Sequence, residues 1–157
     1  MAARTPSRPA GPGMNDPLHI PCPHCRALNR VPSTRLTEGP CCGQCRAPLF
    51  TGHSLPLTAA EFELHASRAD IPLVVDFWAP WCGPCRMMAP AYEQAARALE
   101  PQVRLAKVNT EAEQSLASRF EIFSIPTLVM FRRGREIARQ AGAQSPEAII
   151  RWVRDRL

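Results

Sequence analysis

Two cysteines at a strand-to-helix junction constrain this chain more than any other feature. Residues 73–78 (LVVDFW) are almost continuously apolar, and residues 81–85 (WCGPC) separate them from an Ala- and Met-rich segment with helical character. Unpaired backbone N–H groups at a helix N-terminus favour a thiolate, and Pro84 suits the first helical position. The pattern therefore predicts a reactive dithiol at Cys82 and Cys85 rather than two buried, inert cysteines.

The other cysteines form a second pattern. Six of the seven cysteines in the 157 residues fall into three C-x-x-C pairs. Sixteen residues separate the pair Cys22/Cys25 from the pair Cys42/Cys45, and this arrangement suits four thiolates around a tetrahedral zinc ion. A module this short cannot bury enough apolar surface to fold alone. The four cysteines are thus predicted to hold one structural zinc ion, with an iron–sulfur centre as the alternative.

Two further residues lie close to these pairs. His24, inside the first pair, is expected to be exposed and not a ligand. Cys41 is predicted to be a spare thiol, because a Cys41-x-x-x-Cys45 pair has poorer ligand spacing than Cys42-x-x-Cys45. The C-x-x-C pairs are not predicted to be a structural repeat, because their flanking sequences do not match.

Composition places the chain among globular proteins and limits its partners. Apolar residues make up 45% and charged residues 21%, and no apolar run approaches 18 residues, so no membrane partner is expected. Residues 1–52 contain six arginines against Asp16 and Glu38, a net charge of +4 out of the total of +5. Four zinc-bound thiolates reduce this excess to about +2, which gives nucleic-acid binding only weak support.

Residues 1–17 are predicted to form a disordered arm. Their Pro-, Ala-, Gly- and Arg-rich composition favours disorder, and they lack the apolar core of a secretory signal. Met14 is an alternative first residue. Paired cysteines without a secretory signal are typical of a reducing compartment, so a cytoplasmic location is expected.

Apolar periodicity predicts an α/β domain over residues 52–157, whose first residues belong to a linker at about 51–57. A capping-box pattern at Thr58 and Glu61 opens a first helix that ends near Ala69. The remaining elements are strands at 72–79, 103–109, 126–131 and 136–140, and helices at 84–99, 111–119 and from Ser145 onwards. The last helix is expected to bury Ile149, Ile150, Val153 and Leu157.

The motifs of this domain resemble those of one known family. Residues 76–85 (DFWAPWCGPC), followed about forty residues later by 125–127 (IPT), resemble thioredoxin in sequence, order and spacing. The similarity covers residues 53–157. With the two N-terminal pairs, the whole chain resembles the zinc-containing bacterial thioredoxin-2 type. The resemblance implies a thioredoxin fold, a mixed central sheet flanked by four helices, with a small zinc-ribbon-like module at residues 18–51.

The resemblance also implies a function. It indicates a thiol–disulfide oxidoreductase that reduces disulfide-containing proteins, is recycled by a thioredoxin reductase and needs no organic cofactor. Cys82 would attack a substrate disulfide, with its pKa lowered by backbone N–H groups, and Cys85 would resolve the mixed disulfide. Asp76 would assist proton transfer at Cys85. Lys107 would adjoin this acid and modulate it, unless Lys107 is an ordinary exposed strand lysine. The strand position of Asp76 predicts a desolvated carboxylate with a raised pKa, unless the side chain reaches water at a strand end.

A substrate-docking surface follows from the same resemblance. The family has a cis-proline at the position of Pro126, and the preceding backbone pairs with the substrate as an added strand. Trp78 is interpreted as a core residue. The docking surface is expected to comprise Trp81, Gly83, Pro84, Ile125, Gly142 and Ala143.

Two alternative functions remain open at this point. A disulfide oxidant or isomerase would use the same dithiol, although such family members usually have a His between their two cysteines, where this chain has Gly83 and Pro84. The second alternative is a zinc-ribbon adaptor that binds protein or nucleic acid, with redox chemistry secondary. Strongly salt-dependent nucleic-acid binding by residues 14–52 would support the adaptor.

Overall fold

The computed structural model describes residues 16–157, and every structural statement below concerns that range. The predicted arm lies outside the described residues except for Asp16 and Pro17. Pro17 already belongs to the first strand, β1 (Pro17–Pro21). β1 pairs antiparallel with β2 (Leu28–Pro32), and a 3-10 turn follows at Ser33–Arg35.

The two N-terminal C-x-x-C pairs form matching knuckles. In each, the first cysteine donates its N–H to the carbonyl oxygen of the alanine five residues later, at 2.8 Å in both cases. The arginine that follows each pair, Arg26 or Arg46, has a positive φ of 67° or 69°. The prediction of no structural repeat is therefore wrong for these two pairs. The sequence did contain an indication of this repeat, because Cys-Arg-Ala ends both knuckles.

The C-terminal two thirds of the chain are built on a mixed five-stranded sheet in the order β3-β5-β4-β6-β7. β3, β5 and β4 are parallel, whereas β6 is antiparallel to β4 and β7 is antiparallel to β6. The strands are β3 (Leu55–Pro56), β4 (Leu73–Trp78), β5 (Arg104–Asn109), β6 (Thr127–Arg132) and β7 (Arg135–Ala141). The helices are α1 (Ala59–Ser67), α2 (Gly83–Leu99), α3 (Gln114–Arg119) and α4 (Pro146–Arg154). The expected mixed sheet with four helices is confirmed.

The differences from the predicted elements are small and local. α1 ends at Ser67 rather than near Ala69, and α3 begins three residues later than predicted. The predicted linker contains β3, whose two residues pair with β5 at the edge of the sheet. Thr58 caps α1 in the predicted capping box with Glu61.

Both faces of the sheet are covered. Val74 of β4 faces one core together with α2 and α4, and its neighbour Val75 faces a second core with α1 and α3. This alternation explains why β4 is apolar almost throughout. α4 buries Trp152 with Ile149 and Val153, whereas the predicted Ile150 is half-buried and Leu157 lies exposed beyond the helix end.

Arg104 joins the N-terminal module to the sheet. It is the first residue of β5 and is 4% exposed. Its guanidinium donates to the carbonyl oxygens of Leu49 at 2.8 Å and Pro21 at 3.4 Å, and it stacks over the ring of Phe50. The module therefore packs where β4 and β5 begin, at the end of the sheet opposite the C-terminus of β4.

A second contact fixes the module near the start of β4. The backbone of His19 exchanges hydrogen bonds with Asp70, whose N–H donates to the His19 carbonyl at 2.9 Å. The His19 N–H donates to a carboxylate oxygen of Asp70 at 2.7 Å. Ala69 and Ile71 complete the apolar core of the module.

Candidate active site and metal centre

The predicted dithiol lies between β4 and α2. Cys82 and Cys85 form a disulfide, and Cys82 is the N-cap residue of α2. The N–H of Cys85 donates to the Cys82 sulfur at 3.3 Å, so the first sulfur lies at the positive end of the helix. Both side chains are buried, Cys85 slightly more than Cys82.

A cis peptide bond lies beside the first sulfur. The bond between Ile125 and Pro126 is cis, as the resemblance implied. The sulfur of Cys82 lies 3.7 Å from the carbonyl oxygen of Ile125. The N–H of Gly142 donates to the carbonyl oxygen of Pro126 at 2.8 Å. These contacts bring the cysteine loop, the proline loop and the Gly142 loop together.

The surface around the cysteines is open and partly apolar. Trp81 is 70% exposed, which excludes a core role, whereas Trp78 is half-buried rather than part of a closed core. The other predicted docking residues are exposed, apart from Ile125, which is half-buried; they are Gly83, Pro84, Gly142 and Ala143.

Sequence reasoning missed Phe123 in this region. It is 92% exposed and lies two residues before Ile125. The sequence could have indicated its exposure, because Phe123 is a large apolar side chain in the irregular segment before Pro126. Met87, in the first turns of α2, is likewise 81% exposed.

Asp76 is buried beneath the dithiol. It is 4% exposed and pairs in register with Lys107 across β4 and β5. Within residues 16–157, one carboxylate oxygen of Asp76 has no hydrogen-bond partner. A cavity of about 160 Å³ is lined by Asp76, Lys107 and Cys85. Burial raises the pKa of Asp76 to about 7, against the opposing effect of the Lys107 charge. The prediction of a desolvated carboxylate is thus confirmed.

Replacing Asp76 by asparagine should stabilise the protein above neutral pH. The folded pKa of about 7 exceeds the ordinary 3.8, so the folded state binds the extra proton and ionisation costs stability as pH rises between these values. A difference of about three pKa units corresponds to about 4 kcal/mol. Asp76→Asn should therefore gain up to about 4 kcal/mol at pH 8 and nothing below pH 4, measured by urea unfolding of the oxidised protein across this range.

A matched control removes a surface carboxylate. Glu147, in the first turn of α4, is exposed, and Glu147→Gln should change the unfolding free energy little at any pH. A gain for Asp76→Asn that is equal at pH 4 and pH 8 would show that side-chain packing, and not ionisation, causes it.

Four cysteine sulfurs of the N-terminal module lie close together. The sulfurs of Cys22, Cys25, Cys42 and Cys45 lie within 4.8 Å of one another, and the two closest pairs across the knuckles are 3.5 and 3.6 Å apart. A tetrahedral zinc ion bound by four sulfurs holds them about 3.8 Å apart. The donor set therefore fits such a metal.

Backbone groups in the knuckles are arranged to support thiolates. The N–H groups of His24 and Cys25 point at the Cys22 sulfur at 3.3 and 3.4 Å. The Cys42 sulfur accepts two equivalent N–H groups and the side chain of Asn29 at 3.5 Å. His24 is exposed, and Cys41 is an exposed free thiol outside the cluster, as predicted.

Comparison with known proteins decides the family. The sequence model of thioredoxin matches residues 53–155, two thirds of the chain. This chain belongs to the thioredoxin family. A second model, described as the N-terminal part of thioredoxin 2, matches residues 21–47 and so covers the four clustered cysteines of this thioredoxin.

Relatives support the same conclusion along most of the chain. Thioredoxin C-3 of Corynebacterium nephridii is 41% identical over 138 residues, 88% of this chain and 94% of its own. The thioredoxin of Alicyclobacillus acidocaldarius is 43% identical over 65% of this chain and 96% of its own. The solved structure of a mutant thioredoxin from Halobacterium salinarum superposes with a TM-score of 0.61 at 29% identity, covering 68% of this chain and 92% of that one.

Membership of this family fixes the general activity. The protein is a thiol–disulfide oxidoreductase that reduces protein disulfides, and the oxidant and adaptor alternatives are not favoured. Its N-terminal ribbon offers a metal site. Within residues 16–157, no helix combines the length and the apolar character needed to span a lipid bilayer.

Proposed function

We propose that this thioredoxin reduces protein disulfides through Cys82 as nucleophile and Cys85 as resolving thiol. One observation carries the assignment of roles. The Cys82 sulfur accepts a backbone N–H at the start of α2 and lies 3.7 Å from the carbonyl oxygen of Ile125, beside the exposed Trp81. It is therefore the sulfur held where a substrate chain can approach.

The reaction proceeds by two exchanges. In the reduced protein, the Cys82 thiolate attacks one sulfur of the substrate disulfide, which forms a mixed disulfide and releases the other substrate sulfur as a thiolate. Cys85 then gives its proton to the Asp76 carboxylate, whose pKa of about 7 suits proton exchange near neutrality. The Cys85 thiolate attacks Cys82, and the second substrate thiolate leaves. Two electrons pass to the substrate, and Cys82 and Cys85 end as a disulfide.

Substrate chains dock as an added strand against the proline loop. The backbone before Pro126 supplies the hydrogen bonds, and pockets for alternate side chains supply selectivity. The contact surface comprises Trp81, Gly83, Pro84, Ile125, Gly142 and Ala143, and Phe123 extends it with an exposed aromatic ring.

We propose zinc as the metal of residues 18–51 and assign catalysis to residues 52–157. The four cysteines occupy every tetrahedral position, which is typical of a structural ion. A bound zinc ion would neutralise the thiolates and hold the two knuckles together. No step of the exchange reaction needs it.

Recycling by a thioredoxin reductase and a cytoplasmic location complete the proposal. A relative from Mycobacterium leprae, 36% identical over 66% of this chain, is named a bifunctional thioredoxin reductase/thioredoxin, and this chain covers 23% of its length. The name links the two activities in one polypeptide. Paired reduced thiols in the metal module favour a reducing compartment.

The redox potential of the Cys82–Cys85 pair tests the direction of electron flow. Equilibration with dithiol buffers, followed by counting of free thiols, should give a value near about −270 mV. In a separate kinetic assay, a flavoprotein thioredoxin reductase should reduce the Cys82–Cys85 disulfide repeatedly. A potential between about −180 and −120 mV would identify a disulfide donor and overturn the reductase assignment.

A further inference from the structure

The segment that follows the N-terminal module, residues 52–54, is hydrogen-bonded to α2. Glu100, at the C-terminus of α2, accepts the N–H of Gly52 at 3.3 Å, and Glu93 accepts the N–H of Ser54 at 3.0 Å. The two glutamates are seven residues apart, about two helical turns, so they lie on one face of the helix. Residues 52–54 are therefore bound to the helix and are not a free linker.

The same segment makes further contacts with Glu93 besides the bond from the Ser54 N–H. Its second carboxylate oxygen accepts the hydroxyl hydrogen of Ser54, and His53 lies 3.5 Å from the first oxygen. Both oxygens are thus engaged by the same short segment. Glu93 cannot turn towards another cation without losing one of these bonds.

Glu93 also lines the cavity that contains Asp76. The cavity of about 160 Å³ is lined by Ser54, Glu93, Lys107, Asp76 and Cys85, among others. The ammonium group of Lys107 acts electrostatically on both carboxylates. Burial raises the pKa of Asp76 and Lys107 opposes this rise. Burial also acts to raise the pKa of Glu93, but the Ser54 bonds, Lys107 and His53 outweigh it and lower this pKa.

We propose that Glu93, clamped by Ser54, is a positioning residue for disulfide reduction: it shares the Lys107 charge with Asp76 and so sets how strongly Lys107 acts on the proton acceptor of Cys85. The clamp engages both oxygens of Glu93, so its carboxylate cannot turn to a direct contact with Lys107 without losing a bond to Ser54. This inference rests on the proposed role of Asp76 in proton transfer.

Other groups around Asp76 define the background for a pH measurement. α2 contributes Cys85, Arg86 and Tyr92 to the cavity, in addition to Glu93, and β5 contributes Lys107. Burial raises the pKa of Tyr92 well above its ordinary value, so its hydroxyl remains protonated and donates to the carbonyl oxygens of Val74 and Ala106. Glu93 and Lys107 line this cavity together with Asp76, and the Ser54 clamp holds the carboxylate of Glu93.

The first test replaces Glu93 by glutamine. Loss of this charge leaves Lys107 to act on Asp76 alone, so the Asp76 titration midpoint should fall, by on the order of half a pH unit. The midpoint is read by carboxyl NMR and by the pH dependence of mixed-disulfide resolution. In a Lys107→Met background, the same Glu93→Gln change should have little effect. An unchanged midpoint, or an equal shift without Lys107, would overturn the proposal.

Ser54→Ala tests the clamp, and it should shift the Asp76 titration midpoint in the direction opposite to Glu93→Gln. The Glu93 charge remains, but the carboxylate loses the bond from the Ser54 hydroxyl. The oxygen that accepted this bond is free to turn towards Lys107, so the Asp76 midpoint should rise. A general loosening of the site would move both variants in the same direction, and that result would overturn the clamp. Glu147→Gln, which removes the same charge from the exposed face of α4, should leave the midpoint unchanged.

Asp76→Asn separates this inference from the proposed function. If Asp76 accepts the Cys85 proton, this variant should abolish the inflection near pH 7 in the resolution rate. An unchanged profile in Asp76→Asn would overturn the proton-transfer role itself. A profile that Asp76→Asn abolishes but Glu93→Gln leaves in place would overturn only the role of Glu93.

Discussion

Replacing Cys82 by serine should abolish disulfide reduction. The serine hydroxyl has no sulfur and does not ionise near neutral pH, so no mixed disulfide can form. The variant keeps only the docking residues of the site. Turnover of a disulfide-containing protein should fall by about 10³-fold or more. The measurement is the rate of substrate reduction with a chemical dithiol as the electron source, corrected for the dithiol alone.

Cys85→Ser is the informative partner of this variant. It retains the nucleophile at the N-terminus of α2 but loses the resolving thiol, so it should accumulate a covalent complex with the substrate through Cys82. Mass spectrometry of the trapped complex identifies the linked cysteine. Trapping through residue 85 in a Cys82→Ser protein, with none in Cys85→Ser, would reverse the two assigned roles.

Removal of the metal should unfold the N-terminal module while the thioredoxin domain stays folded. The module has a small apolar core, whereas a structural zinc site contributes about 10–16 kcal/mol to the folding of small zinc domains. Cys42→Ser should therefore bind no stoichiometric zinc and should lose amide protection over residues 17–50 in hydrogen exchange. Protection in β4 and β6 should persist, because their two cores lie outside the module.

Cys41→Ser is the matched control for the metal site. Cys41 adjoins Cys42 in sequence, yet it is exposed and its sulfur lies outside the cluster of four. The variant should hold one zinc ion per chain and keep the amide protection of the module. A folded module in zinc-free Cys42→Ser protein would show that apolar packing against Ala69 and Ile71 suffices without metal.

The sequence predicted the chemistry well because that chemistry depends on local patterns. The WCGPC segment after an apolar strand placed Cys82 at a helix N-terminus, and the C-x-x-C spacing identified the four cysteines whose sulfurs cluster as a candidate metal site. Asp76 was recognised as a buried acid because apolar residues surround it in the strand. Each of these inferences needed only residues close together in the chain.

The features that the sequence did not predict depend on contacts between distant segments. Arg104 begins a strand and gave no sign of burial, because its partners are backbone carbonyls 55 and 83 residues away. Ser54 lay in a predicted linker, and its bond to Glu93 joins segments 39 residues apart. Leu157 matched the helical periodicity, but α4 ends at Arg154, before its side chain could be buried.

Arg104 also constrains how such a two-part protein can arise. A thioredoxin domain with an arginine at the start of β5 can leave that side chain in water at no great cost. A ribbon placed on a domain without this arginine would bury the carbonyls of Leu49 and Pro21 without donors, at about 1–3 kcal/mol for each group. A ribbon that meets the arginine on its host domain therefore packs more stably than one that does not. A ribbon transplanted onto another thioredoxin should require the arginine to be transplanted with it.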